Sequence, residues 1–257
     1  MKSMDRVVSS FSFVALLLLW EAGIRWADIP AYTLPPPSLV MQTLWSNLGP
    51  LTASWIFTLK ITLISLLLAC ASGVLVASFF SLSRQLEQIL LPIAVMLQVT
   101  PVVAIAPLIL IYVSSATAAL LLCAWIVAFF PIMSNTVAGL RAADPQLGDL
   151  LRIYRATPLQ RLRLLLIPSA MPYFLAGLRI SGGLSLIGAV TAEMVAGVAG
   201  HETGLASTIL EASFRTDTPK MFAALALLVL TGVMIFAVLN ALSRLLLGRW
   251  HPGISAS

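Results

Sequence analysis

Apolar residues are gathered into six long blocks, near residues 8–26, 54–82, 88–113, 116–139, 170–198 and 221–247. The stretches between them hold most of the charges and many of the prolines. Each block suits a helix that crosses the hydrocarbon layer, which takes about 20 apolar residues at about 1.5 Å rise per residue. The pattern predicts an all-α, polytopic membrane protein: one transmembrane domain over 1–257 with about six transmembrane helices. An even number of crossings returns both termini to one side.

Composition agrees with this pattern. Of the 257 residues, 60% are hydrophobic and 10% charged, against roughly 25% charged in a soluble domain, and the mean hydropathy is +1.00. A net charge of +5 would point to nucleic acid in a soluble chain, but here the cations partition across the membrane, so no nucleic-acid partner is expected. With the termini inside, Lys2, Arg6, Arg84, Arg141, Arg152, Arg155, Arg161, Arg163, Arg244 and Arg249 are cytoplasmic, ten of the 15 Lys and Arg. The positive-inside rule therefore places both termini in the cytoplasm. Lys2 and Arg6 before Phe11 to Trp20 imitate a signal peptide, but no small-x-small cleavage site follows, and the segment reads as a retained first span.

Three connections are longer than turns. The outer segment 27–53 carries Leu34-Pro35-Pro36-Pro37-Ser38, whose prolines impose extended backbone before a helical pattern resumes near Leu39. The outer segment 199–220, with His201, Glu202, Glu211, Arg215 and Asp217, has room for a short interfacial or re-entrant helix. The inner segment 141–168 holds two helix starts in succession. Asp144 caps a first helix with Pro145 in its first turn, and Leu147, Leu150, Leu151 and Tyr154 recur at helical spacing. Thr157 with Pro158 and Gln160 forms a capping box for a second helix, striped by Leu159, Leu162 and Leu165 or Leu166 and ended by Pro168. The segment reads as a helix-turn-helix at the membrane surface with an apolar and a basic face, suited either to docking a partner or simply to fixing topology through its arginines.

Within the spans, polar residues mark candidate positions on a translocation path. Glu193 is acidic in an otherwise apolar helix; it either lines a path or takes a buried hydrogen bond from Arg179, Thr191 or a neighbouring span. Arg179 shares its helical face about 21 Å away, too far to pair within the helix. Thr100-Pro101 interrupts the third block and frees carbonyls that can face water or form a mere kink. Asn135, Ser181 and Ser185 serve equally as path or interhelical contacts, with the balance toward the latter. Ala69, Gly73 and Ala77, and Gly188, Ala192 and Ala196, are small residues four apart that let helices approach closely. Cys70 and Cys123 sit in apolar runs and read as packing residues, and neither they nor His201 and His251 have ligand-type neighbours, so no metal site is expected. No nucleophile and base set appears, so no catalytic residue is assigned.

The inner segment also resembles a known pattern: Glu-Ala-Ala, three residues, Gly, nine residues, Ile, any residue, Leu-Pro. Asp149-Leu150-Leu151 fall at the triplet, Arg155 at the glycine, and Leu165, Leu166, Ile167 and Pro168 at the end. Further matches run through Trp20-Glu21, Leu34 to Ser38, Thr100-Pro101, Ala106-Pro107, Phe130-Pro131, Asn135-Thr136, Pro168 to Pro172, Gly177-Leu178-Arg179, Ala192-Glu193-Met194 and Gly204-Leu205. The chain thus resembles the permeases of binding-protein-dependent ABC importers, in the nitrate, sulfonate, taurine and bicarbonate group. Arg155 in place of glycine, and Ile111 to Ser115 in place of a Trp-Phe-Gly-like ending, are departures from that group.

The resemblance implies a type I ABC importer permease fold in a bacterial cytoplasmic (inner) membrane. Its partners would be a second copy of the permease, two cytoplasmic ATPase subunits and an outer substrate-binding protein. ATP and magnesium would bind the ATPase and no cofactor this chain, which lacks a P-loop: Lys2, Lys60 and Lys220 are its only lysines and none follows glycine. The coupling segment would use Asp149, Leu150, Leu151, Tyr154, Arg155, Thr157, Pro158, Arg161, Ile167 and Pro168, with the leucines and Tyr154 as anchors and Arg152, Arg155, Arg161 or Arg163 on acidic groups. The group covers sulfonates, nitrate, taurine and thiamine-pyrimidine precursors. With only Lys60 and Arg179 as cations within spans, a neutral or aromatic heterocycle is as admissible as an anion. A secondary transporter is the competing reading, but Glu21 and Glu193 are the only acidic residues within spans to couple an ion gradient.

Overall fold

A computed structural model describes residues 2–82, 84–198 and 204–248. Helix α1 covers Lys2–Trp26, α2 Pro37–Ser46, α3 Leu48–Leu82, α4 Arg84–Val99, α5 Val102–Tyr112 and α6 Ala116–Arg141. They are followed by α7 (Pro145–Ile153), α8 (Pro158–Arg161), α9 (Ile167–Val198), α10 (Leu205–Phe214) and α11 (Thr218–Leu247).

Four helical stretches among the described residues are long and apolar enough to span a membrane: Leu48–Ser81, Ala116–Arg141, Pro158–Gly197 and Thr218–Leu247. The expected third span, 88–113, is not one helix. It is split into α4 and α5, bent by 100° at Thr100-Pro101. Pro101 lacks an N–H, sits extended at φ −63° and ψ 116° and starts α5 afresh. The expected count of six thus becomes four continuous spans, one broken pair and α1, a 25-residue helix with exposed apolar side chains such as Leu16, Leu18 and Leu19.

Interhelical contacts fix the relative directions. Ser65 Oγ donates to the Leu121 carbonyl and Trp125 Nε1 to Ser72 Oγ, so α3 and α6 run parallel. Ser181 Oγ donates to Ala128 O and Ser185 Oγ to Thr62 O, so α9 runs against both. Gly182 lies against Ile235 and Leu239 while Gly232 faces Leu186, so α11 runs against α9. Because α3 and α6 are parallel, the α4–α5 pair must carry the chain back between them. It is therefore a broken span rather than a loop that returns to its own side.

The core lies between α6 and α9, whose contact is the most extensive in the molecule. A Cβ on Gly177 would lie 2.7 Å from the Pro131 carbonyl, and one on Gly188 2.8 Å from Ala124 Cα. Both glycines therefore admit backbone contact that no larger residue allows. Ala69, Ala77, Ala192 and Ala196 are buried in the same manner, and Gly73 meets Ile132. Ile132, Met133 and Leu175 fill the space between the helices with essentially no exposure. Cys123 is buried and Cys70 half-buried, both as free thiols among apolar neighbours.

One boundary differs from expectation. Pro168 does not end the second helix of the 141–168 segment, because α8 continues through a π-helical turn, Leu162–Leu166, into α9. The wider turn moves the preceding carbonyls out of register, so a proline at the second position of α9 meets no regular carbonyl four residues back.

Candidate functional site

Two groups of residues stand out, one at each end of the bundle. At the end where α6 finishes, Asp144 Oδ1 accepts from Gln146 N at 2.8 Å and starts α7. Thr157 and Gln160 then exchange hydrogen bonds, with Thr157 N donating to Gln160 Oε1 at 2.8 Å and Gln160 N to Thr157 Oγ1 at 3.3 Å. Between them the chain reverses at Arg155, which takes φ 51°. This left-handed conformation favours glycine, so Arg155 keeps the backbone that the pattern's glycine would supply, at a cost of about 1–2 kcal/mol.

Gly148 is buried beneath α7, where Arg161 Nη2 and Leu165 approach. The opposite side of α7 leaves Leu147, Leu150, Ile153 and Tyr154 exposed, the last two at 78% and 76%. Among the described residues nothing covers this apolar stripe, which makes it a candidate docking face. Leu151 turns inward and is half-buried, Asp149 and Arg152 form a solvent-exposed pair at 3.5 Å, and Thr157 and Pro158 serve the cap. Ile167 and Pro168 lie in the first turn of α9, on the bundle side of the hairpin. Beside the hairpin, an ion pair that sequence reasoning missed joins Arg141 at the end of α6 to the buried Glu87 of α4.

At the other end, two carboxylates from long helices hold two short ones. Glu21 of α1 accepts from Ser38 N at 3.0 Å and Ser38 Oγ at 2.8 Å in the first turn of α2, and pairs with Arg25. Glu193 of α9 accepts from Ala206 N at 3.1 Å in the first turn of α10 and from Thr58 Oγ1 of α3 at 3.0 Å. Thr58 Oγ1 in turn accepts from Leu205 N at 2.9 Å. A carboxylate at a helix N-terminus both satisfies orphan amides and opposes the helix dipole. The Trp20-Glu21 and Leu34 to Ser38 motifs meet in the first contact, and Ala192-Glu193-Met194 and Gly204-Leu205 in the second. Thr58 carried no sequence signal, being one threonine in an apolar run.

The candidate path residues are dispersed. Glu193, Ser181 and Ser185 have no exposed surface and bond neighbouring helices of their own chain, Glu193 to Thr58 and α10 and the serines to backbone carbonyls. Asn135 is half-buried and donates to Pro131 O. Arg179 reaches Asn240 at 3.5 Å. Thr100 and Pro101 alone of the group are exposed, at the bend. His201, Glu202 and His251 lie outside the described residues.

Residues 69–255 match the model of the family described as binding-protein-dependent transport system inner membrane component. The chain is 34% identical to the riboflavin transport system permease protein of Chloroflexus aurantiacus over 93% of this chain and 88% of that one. It is 31% identical to the formylaminopyrimidine transport permease protein of Halalkalibacterium halodurans, over 96% and 97%. Its fold is similar to a chain of the inward-facing MetNI methionine ABC transporter, with a TM-score of 0.63 at 19% identity, covering 76% of this chain and 94% of the other. The broken span, the capped hairpin and these likenesses converge: the chain belongs to the binding-protein-dependent inner membrane components, the multi-pass permease subunits of ABC importers, whose ATP hydrolysis resides on a separate subunit.

Proposed function

We propose that this permease imports an aromatic heterocycle of the flavin or pyrimidine kind, as one of two identical copies that enclose the path between them. The substrate class is carried by the two relatives named for riboflavin and formylaminopyrimidine, each at least 31% identical over more than nine-tenths of this chain. A path between two copies is favoured over one within a chain because Ile132, Met133 and Leu175 fill the space between α6, α9 and α3. The path then runs along the outside of each bundle, where the α4–α5 bend presents Thr100 and Pro101, and closes against the second copy.

The hairpin end is cytoplasmic, with both termini on that side, because Arg141, Arg152, Arg155, Arg161 and Arg163 crowd it while Arg25, Arg215 and Lys220 lie opposite. The stripe of Leu147, Leu150, Ile153 and Tyr154 docks on the ATPase, and an outer binding protein delivers the solute. The test is reconstitution of the permease in proteoliposomes with its ATPase and binding protein. Riboflavin and a formylaminopyrimidine are offered against taurine and nitrate. Stimulation of ATP hydrolysis and uptake by a heterocycle is the expected result; stimulation by an anion alone would overturn the substrate reading. A cross-link at a cysteine placed at Thr100 should form between copies, and its absence in an active complex would overturn the two-copy path.

A further inference from the structure

The hairpin end contains a second feature, distinct from the docking stripe. A cleft of about 1140 Å3 opens between the last turns of α3 and α6, the first turns of α4 and the inner side of the α7–α8 hairpin. Among the described residues three guanidinium groups line it, Arg141, Arg152 and Arg161, against one carboxylate, Glu87. Arg141 is taken up by Glu87. Among the described residues Arg152 makes only the 3.5 Å contact with Asp149, both largely exposed. Arg161 Nε is buried with no hydrogen-bond partner among the described residues, an arrangement costly to keep unless something completes it. Phe80 and Leu91 supply apolar wall on the bundle side. Apolar side chains lie on both walls, Phe80, Leu91 and Leu140 on the bundle side and Leu151, Leu159 and Leu162 on the hairpin beside Arg152 and Arg161; such a mixed lining, at the level where α3 and α6 end, matches an amphiphile rather than a water-soluble anion.

We propose that this cleft binds the phosphate headgroup of an anionic phospholipid, with Arg161 and Arg152 on the phosphate and an acyl chain against Phe80 and Leu91. Guanidinium forks suit phosphate oxygens, and Arg141 is left to hold Glu87. The ATPase does not compete for the cleft, because Leu147, Leu150, Ile153 and Tyr154 face away from it. With its headgroup on the hairpin and its acyl chain against Phe80 of α3 and Leu91 of α4, the bound lipid bridges the hairpin to the bundle, so membrane composition sets how firmly the docking element sits there. Only the leaflet assignment rests on the cytoplasmic placement of the hairpin.

The experiment uses the purified importer complex, delipidated in mild detergent and titrated with phosphatidylglycerol or phosphatidylcholine while native mass spectrometry counts bound lipid. Phosphatidylglycerol should bind preferentially. Arg161→Gln should weaken it about fivefold and the double variant with Arg152→Gln about 25-fold, at the usual worth of a basic residue near anionic lipid, with phosphatidylcholine unchanged. Arg161→Lys, which keeps the charge, should restore most of the preference. If Arg161→Gln does not fold, Arg152→Gln on the exposed rim carries the test alone, at about fivefold. Equal binding of the two lipids, or unaltered selectivity in the variants, would overturn the proposal. So would competition by glycerol 3-phosphate at the concentrations where the lipid binds, since that assigns the site to a soluble phosphate. Loss of selectivity with the ATPase still bound is the signature of this site; a complex that never forms with its ATPase faults the docking assignment instead.

Discussion

Placing alanine at Gly204 tests the contact that ties α10 to the bundle. The glycine has φ −140° and ψ −156°, a backbone that alanine adopts, so the effect is steric. Its Cβ would lie 2.5 Å from each Glu193 carboxylate oxygen and closer still to Thr58 Oγ1. Neither neighbour can retreat, because Thr58 and Glu193 are both fully buried. Relief therefore means moving α10 outward, which breaks the bonds from Leu205 N and Ala206 N at 2.9 and 3.1 Å. Overpacking costs about 1–3 kcal/mol, and each buried amide left unpaired about 1–3 kcal/mol more. A total of about 3–9 kcal/mol corresponds to a rise in local opening of at least 100-fold. Hydrogen exchange of a peptide spanning 204–214 reads this directly, with the α6 and α9 peptides as internal reference. Gly183→Ala is the control: nothing lies within 4 Å of its Cβ, so helix propensity alone should stabilise α9 by about 1 kcal/mol. Unchanged exchange across 204–214 in Gly204→Ala would refute the account of Glu193 as the anchor of α10.

Other outcomes follow from the same geometry. Glu21→Ala removes the cap on Ser38 N and should raise exchange across α2 about fivefold, or about 1 kcal/mol, leaving the long spans unaffected. Tyr154→Ala and Ile153→Ala should each weaken ATPase retention on an affinity column by more than about 1 kcal/mol, with normal membrane insertion because both side chains are exposed in the permease. At Arg155 the left-handed backbone predicts an order: Arg155→Val loosens the hairpin and ATPase attachment more than Arg155→Gly, and equal effects would show that φ 51° is not what the position must supply. Gly177→Leu should abolish accumulation of folded permease, since its Cβ alone would stand 2.7 Å from Pro131 O.

What lay open in the sequence was local. Caps reach two or three residues along the chain, so Asp144, and Thr157 with Gln160, named the starts of α7 and α8. Apolar runs set the long helices because an unpaired backbone cannot remain in lipid, whatever the neighbours do. Short-range rules also erred where a local device intervened. Pro168 reads as a stop, and only the π-helical turn before it lets the helix run on. In the third apolar block the interruption at Thr100-Pro101 was legible, but its size, a bend of 100°, was not.

For the candidate site, the sequence determined which residues were unusual, and the tertiary structure decided what each one touches. Glu193 is conspicuous in an apolar helix, but Thr58 lies 135 positions away and Leu205 is 147 positions from Thr58, distances over which periodicity carries no information. Ser181 and Ser185 look the same in sequence whether they face a path or a neighbouring helix; only the packed chain shows their hydroxyls bonded to the Ala128 and Thr62 carbonyls, because a buried hydroxyl must find an acceptor. The exposed stripe on α7 shows the converse. Helical spacing put Leu147, Leu150 and Tyr154 on one face from the start, but only the packed bundle reveals that the described residues leave that face uncovered, since burial belongs to the whole surface and not to any stretch of it.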